Sequence, residues 1–472
     1  MKIIQKKDIL LQRIREHSPL TGRDQLSLAV MLSIPSMMAQ MSHIMMEYID
    51  ASMVGSLGAE ASAAIGIVST TIWLFGGLTH SASTGFYVQV AHRIGASEWT
   101  QARSVMRQSF MACLSFSIAL AAIGACISPW LPVWLGGDEI IHHDASIYFL
   151  VFSLCLPFSQ LNSLASGMLR ASGNMHVPSL LNIIMCALDV LFNFLFIFPS
   201  RSWHGIFIPG AGLGVLGAVL GTALAYAICS LTMCWFACVR SRELNLFQDR
   251  GSFLPSLDTL RRSVKIALPM GVEHFIMCAA QIVSTIIVAP LGTIAIAANS
   301  FGITIESLCY MPGFGMSDAA TTLVGQSLGA RRSYLARSFG RITLIMGITI
   351  MTIMGVIMYI SSPALMSLMT PDLEVQRLTV ECLRIEAFAE PMFAASIVAY
   401  GIFIGAGDTL VPCSMNLLSI WAVRITLACV LASTMGLRGV WIAMALELCF
   451  RGAIFLLRFR SDKWMTRSPN LL

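Results

Sequence analysis

Read for its apolar and polar positions, the chain is a series of long apolar stretches, each closed by charge or by Gly and Pro. Twelve stretches stand out: residues 26–53, 62–86, 105–129, 145–168, 177–198, 212–238, 263–288, 296–322, 339–361, 380–402, 412–433 and 439–458. A helix crossing a bilayer takes about 20 apolar residues, so each is read as one span. The predicted fold is an all-α polytopic membrane protein with two six-helix lobes. A basic amphipathic tail (1–25) precedes the first lobe (26–238). A polar linker (239–262) joins it to the second lobe (263–458), and a short tail (459–472) follows.

Composition supports this pattern. Of 472 residues, 56% are hydrophobic and 12% charged, whereas soluble domains carry roughly 25% charged residues. No large soluble domain fits. The net charge of +5 concerns topology rather than nucleic acid. Lys and Arg gather on one side of the spans: in the first tail (Lys2, Lys6, Lys7, Arg13, Arg15, Arg23), at Arg93, Arg103, Arg107 and Arg170, and in the linker. They continue at Arg331, Arg332, Arg337 and Arg341 and in the last tail, including Arg467. The opposite loops hold Arg201, Arg377 and Arg438. Basic residues are retained on the cytoplasmic side, so both termini are expected there. The first 25 residues lack a signal peptide's apolar core and cleavage site, and are expected to stay attached. The 13 cysteines are scattered along the spans with no CxxC pair, which reads as packing.

The chain repeats itself at an offset of 234 residues. Pro35 matches Pro269, Leu57–Gly58 matches Leu291–Gly292, and Gly95–Ala96 matches Gly329–Ala330. The register continues through Arg103 and Arg337, Arg107 and Arg341, Pro157 and Pro391, Gly173 and Gly407, and Asn182 and Asn416. It resumes at Gly214–Val215 and Gly439–Val440 after a hairpin around 201–212 that is longer in the first half. Six spans per repeat make the halves parallel, and transporters place substrate between such halves. Two similar lobes suit an alternating-access carrier.

The sequences YIDASMVGSLGAEASAA (48–64), IIVAPLGTIAIAAN (286–299) and MPGFGMSDAATTLVGQSLGARR (311–332), the last with GQxxGA, resemble the multidrug and toxic compound extrusion (MATE) family. GMLRASGN (167–174) and GIFIGAGDT (401–409) resemble the ends of that family's spans 4 and 10. The resemblance covers essentially the whole chain. It implies a secondary antiporter of a bacterial cytoplasmic membrane, exporting organic, often cationic, compounds against inward H⁺ or Na⁺. It also implies no enzyme activity and no cofactor beyond that ion. One branch of the family has acids eight residues after the span-7 proline and eight before the span-10 glycine. Here those positions are Met277 and Phe393.

An ionised side chain at mid-bilayer costs about 2.5–3.5 kcal/mol on insertion scales, so acids in spans need a partner, a cavity or a proton. The resemblance assigns Asp50 to the family's span-1 aspartate. Asp189 with Asn193 matches its span-5 pair in reversed order, and Thr222 its span-6 threonine. Glu47 and His43 share the Asp50 helix face. Two carboxylates close together in low dielectric do not both stay charged. Either a proton is held, or Na⁺ takes its place with Asp50, Asp189, Asn193 and Thr222 as ligands. Pro35 is the expected hinge. Asp50 capping a nearby backbone end and His43 filling a core hydrogen bond remain open.

In the second lobe Arg424 stands one residue past Val423, the repeat partner of Asp189, and needs a carboxylate from Glu390 or Glu447. Glu273, Glu390 and Arg424 are candidates for substrate or a second cation. Glu386 and Glu390 are read as lining the cleft, and Glu306 and Asp318 as packing residues. His142 and His143 in an outer loop are a weak metal motif. No phosphate loop, nucleophile triad or ATP module occurs, so a monomeric, gradient-driven carrier in the bilayer is expected. A lipid-linked saccharide flippase is the nearer alternative, expected to have more cationic spans. A membrane receptor without transport is the more distant one.

Overall fold

In a computed structural model, which describes residues 2–203 and 206–466, the chain is almost wholly helical. Arg467 of the final tail lies outside the described residues, as do the side chains at 2–4 and 201–208. The spans are Gly22–Gly55, Ala59–Gly95, Trp99–Ile127, Glu139–Ala171, His176–Ile197 and Gly214–Trp235, then Leu257–Val288, Thr293–Gly329 and Ser333–Met369. Span 10 is a broken pair, Leu373–Ala387 and Glu390–Gly405, bent by 58°. Span 11 joins Leu410–Leu418 to Thr426–Met435 through a π-helical turn, Ser419–Ile425, and span 12 is Leu437–Arg460. With the bent pair counted once, twelve helices among the described residues are long and apolar enough to cross a membrane, and they stand where the apolar pattern puts them.

Several helices outrun their apolar windows. Span 2 continues to Gly95 because Gln89 and His92 are buried rather than solvated. Span 1 starts where Thr21 and Asp24 form a capping box: the Thr21 hydroxyl accepts from the Asp24 amide, and the Asp24 carboxylate from the Thr21 amide, both at 3.2 Å. The first tail is the helix Lys2–Arg15, with Leu10, Leu11 and Ile14 buried. Arg332 donates to the carbonyls of Arg13 (2.9 Å), Ile14 (3.3 Å) and Ser18 (3.0 Å) where that helix ends. It satisfies acceptors that a helix terminus leaves open.

The described residues depart from all-helical structure at one hairpin, strands β1 (Pro199–Trp203) and β2 (Ile206–Ala211), paired antiparallel with Pro199 opposite Ala211. It is the insertion that interrupts the repeat between spans 5 and 6.

The repeat is present in the backbone as well as in the sequence. Positive φ occurs at matched positions: Gly58 (122°) and Gly292 (99°), Gly173 (88°) and Gly407 (75°), and the non-glycines Ser97 (61°) and Arg331 (57°). Both non-glycine residues follow a Gly–Ala that ends a long helix, where a left-handed residue closes the last turn. Repeat arginines play the same part in each half. Arg103 pairs with Asp249 and donates to Gln248 (2.8 Å), tying down the linker. Its counterpart Arg337 pairs with Asp462 (3.1 Å) beyond span 12.

The chain forms two compact units, residues 42–94 with 98–271, and residues 1–41 with 95–97 and 272–472. The boundary falls inside span 1, between Met41 and Ser42, and inside span 7, between Gly271 and Val272. The first unit packs around Phe75, Phe149, Leu120 and Leu156. The second has a core of Ile402, Phe403, Phe455, Phe459 and Trp464. Leu231, Leu268, Phe275, Ile286 and Ile360 stay exposed on the outside of helices, as lipid-facing residues do, since lipid gives them no reason to turn inward.

Close helix contacts depend on glycine. A Cβ on Gly401 would overlap the Ser317 hydroxyl and lie 2.5 Å from its carbonyl oxygen, next to the Thr321 hydroxyl that donates to the Gly401 carbonyl at 2.8 Å. Gly401→Ala is expected to cost about 1–3 kcal/mol through overpacking. It should lower the thermal unfolding midpoint of the purified protein, which a fluorescence melt in detergent would read.

Candidate functional site

The first unit gathers the predicted span-1 and span-5 residues. Asp189 and Asn193, one turn apart, are fully buried. The Asn193 amide donates to Asp50 (2.9 Å) and to Asp189 (3.3 Å) and so bridges the two carboxylates. Thr222 of span 6 stands beside Asp189, its hydroxyl bonded to the Ala218 carbonyl at 3.1 Å. Two oxygens in this group, Oδ1 of Asp189 and Oδ1 of Asn193, are buried and accept no hydrogen bond among the described residues.

Two residues of this site gave no chemical signal in the sequence. A Cβ on Gly221 would overlap the Asn193 side-chain oxygen, so glycine there lets span 6 close on the asparagine. Tyr148 of span 4 faces both aspartates. Glu47 stands beside the group, within electrostatic reach of Asp50. Its side chain is about half exposed and meets His43 at 3.4 Å, one turn away. Pro35 lies within an unbroken helix, and its segment of span 1 belongs to the other unit.

The second unit contains different chemistry. Glu273 is buried and accepts from the Tyr400 hydroxyl and from the Asn416 amide, both at 2.6 Å. Asn416 is the repeat partner of Asn182, so the register pointed to it without naming its role. Arg424 binds Glu447 at 2.9 Å, and Arg451 binds the same carboxylate at 2.9 Å. The Ser419 hydroxyl also donates to Glu447. Of the two expected partners of Arg424, Glu447 is the one used, and Glu390 is not. Arg451 also lies over the Phe393 ring, 5.6 Å from its centroid.

Ser419 and Arg424 both lie in the π-helical turn Ser419–Ile425. On an α-helix turning about 100° per residue, positions five apart stand about 140° from one another; the wider turn brings them toward one face, where both reach Glu447.

Glu386 and Glu390 do not line an open surface; both are fully buried, on either side of the break in span 10. Glu306 is buried near them. Asp318 takes a hydrogen bond from Gln40 at 3.4 Å. His142 and His143 are in the first turns of span 4, where His142 meets the Gly137 carbonyl at 2.8 Å. Among the described residues no cluster of three His, Cys, Asp or Glu side chains has metal-site geometry.

The MatE family model matches this chain twice, over residues 35–195 and again over 269–430, one match to each half of the repeat. The chain belongs to the MatE family. The MatE chain is 24% identical over 445 residues to a protein of Thermotoga maritima called probable multidrug resistance protein NorM, with 93% of each covered. Its fold is shared by a MOP superfamily transporter from Pyrococcus furiosus, at 20% identity and a TM-score of 0.86 over 98% of each chain. A mutant of the Vibrio cholerae MATE transporter VcmN gives 18% identity and a TM-score of 0.86, covering 95% of this chain and 99% of the other. The protein is thus a multi-pass membrane transporter of the MatE family.

Removing one member of a buried ion pair leaves its partners uncompensated, a loss of about 3–5 kcal/mol. Glu447→Gln would strand two arginines and is expected to lose at least that much, with a large fall in the thermal midpoint. Arg424→Gln, which leaves the Arg451 pair in place, should fall less when the two are melted side by side.

Proposed function

We propose that this MatE transporter exports organic, cationic or amphipathic compounds in exchange for H⁺ or Na⁺, alternating access between its two lobes. The multidrug cargo is carried over from the names of relatives such as the Thermotoga protein. The observation that carries the coupling is the pair of buried, unaccepting oxygens on Asp189 and Asn193, beside the Asp50 carboxylate. Low dielectric opposes two neighbouring bare carboxylates. A proton shared by Asp50 and Asp189 relieves them. So does Na⁺, for which Asn193 and Thr222 oxygens are neutral ligands and the donor set is all oxygen.

Binding or losing that ion changes what Asp50 contacts near the end of span 1. Pro35, without an amide hydrogen, gives the same helix a place to bend toward its other end. Glu273, hydrogen-bonded by Tyr400 and Asn416, and Arg424 are the groups offered to substrate in the second half. The basic residues concentrated on one side of the spans support a bacterial cytoplasmic membrane with both termini inside. The carrier works as a monomer without ATP.

In everted membrane vesicles, Asp50→Asn is expected to abolish dye export while keeping the wild-type melting temperature. Export at the normal rate by that variant removes Asp50 from coupling. Separate gradients identify the ion: transport that survives collapse of the pH gradient but stops without Na⁺ rejects the proton. Failure of the reconstituted protein to move any cationic dye would sink the export reading itself.

A further inference from the structure

The halves diverge at a place where the first packs an apolar core. There Phe75, Phe149 and Leu156 are buried together, with Ile72 and Phe152 against them. At the repeat offset, Ile72, Phe75, Phe152 and Leu156 become Glu306, Cys309, Glu386 and Glu390. The same backbone therefore holds a greasy cluster in one half and three carboxyls with a thiol in the other. The fold does not need acids there, and in low dielectric they weaken it unless they are neutralised.

Among the described residues no cation is bonded to Glu386 or Glu390, although Arg424 and Arg451 stand within electrostatic reach of the cluster. Glu386 and Glu390 have no exposed surface, and none of their four carboxylate oxygens has a hydrogen-bond partner among the described residues. The Cys309 thiol is beside Glu390, and a thiol is a weak donor. Facing the acids from other spans are Arg424, Glu447, Arg451 and Cys449, but both arginines are committed to Glu447. Arg384, on the first half of span 10, stacks over Tyr359 of span 9 at 5.0 Å. Span 9 approaches through Gly355, where a Cβ would stand 3.1 Å from the Ala387 carbonyl oxygen and 3.2 Å from the Glu390 Cβ.

The acids also flank the 58° break. Proline alone does not cause it, because Pro157, the repeat partner of Pro391, lies inside an unbroken helix. The break itself is closed by a tight turn, the Ala389 amide donating to the Glu386 carbonyl at 2.7 Å, and broken helices in transporters border ion sites.

We propose that Glu306, Glu386 and Glu390 form a second proton-binding site at the break of span 10, distinct from the Asp50–Asp189 pair. Protonated, the three carboxyls are neutral and can donate to one another. Deprotonated, they repel across the bend, so the angle between the two halves of span 10 follows the proton. The part this plays in export rests on the proposed function; the binding of the proton does not.

The test uses the full-length chain in liposomes with dicyclohexylcarbodiimide, which forms a stable acylurea with a carboxyl that is both protonated and shielded from water. Peptide mass spectrometry is expected to find the adduct on Glu386 or Glu390 at neutral pH, fading as the pH rises, and unchanged in the Asp50→Asn chain. No adduct on either residue, or one indifferent to pH, overturns the proposal. Replacing the four residues by their first-half counterparts (Glu306→Ile, Cys309→Phe, Glu386→Phe, Glu390→Leu) separates a proton site from packing. This chain is expected to melt higher than wild type and to lose proton-driven export. Export at the wild-type rate makes the cluster mere packing. Should it fail to fold, Glu386→Gln with Glu390→Gln, close in shape, is read by the same two measures. An Asp50→Asn chain that still exports would defeat the first site while leaving this labelling result untouched.

Discussion

Everything polar inside this protein is governed by the cost of a charge or a lone pair kept from water. Where a buried carboxylate has its partners, the result is a fixed joint. Glu447 shared by Arg424 and Arg451, and Glu273 held by Tyr400 and Asn416, are of this kind. The carboxylates of Glu386 and Glu390, and one oxygen of Asp189, have no hydrogen-bond partner among the described residues; the proposed proton or cation would complete them.

Duplication lets a chain keep one kind of site while changing the other. The two halves share their positive-φ turns at Gly58 and Gly292 and at Ser97 and Arg331, and their docking arginines Arg103 and Arg337. They share little of their interior chemistry. The first half has an aspartate pair bridged by an asparagine; the second has a two-arginine joint and a carboxyl cluster where its twin is aromatic. A backbone fixed by glycine contacts and helix ends is indifferent to these exchanges as long as the polar groups come out neutral or paired.

The spans and the repeat were legible in the sequence because each depends on a local or periodic signal, apolar length or a constant offset; the Asp50–Asp189–Asn193 group was legible through the family resemblance, which implies those residues act together. What escaped depends on three-dimensional approach. The break in span 10 was hidden because its apolar run reads as one helix, and Pro391 has a twin that breaks nothing. Gly221 looked like any small residue in a membrane helix until its contact with Asn193 showed why it is small. Helix one-turn spacing put Glu47 with Asp50, yet the side chain turns to His43 instead. Arg424 had two carboxylates equally available by sequence, and only the packing of spans 11 and 12 selects Glu447.

The wider turn in span 11 bears on how firmly spans 11 and 12 are joined. Ser419–Ile425 carries two of the three donors to Glu447, and the third, Arg451, is on span 12 itself. Straightening that stretch into a regular α-helix would swing Ser419 and Arg424 apart. The irregularity of one helix and the ion pair behind it therefore stand or fall together.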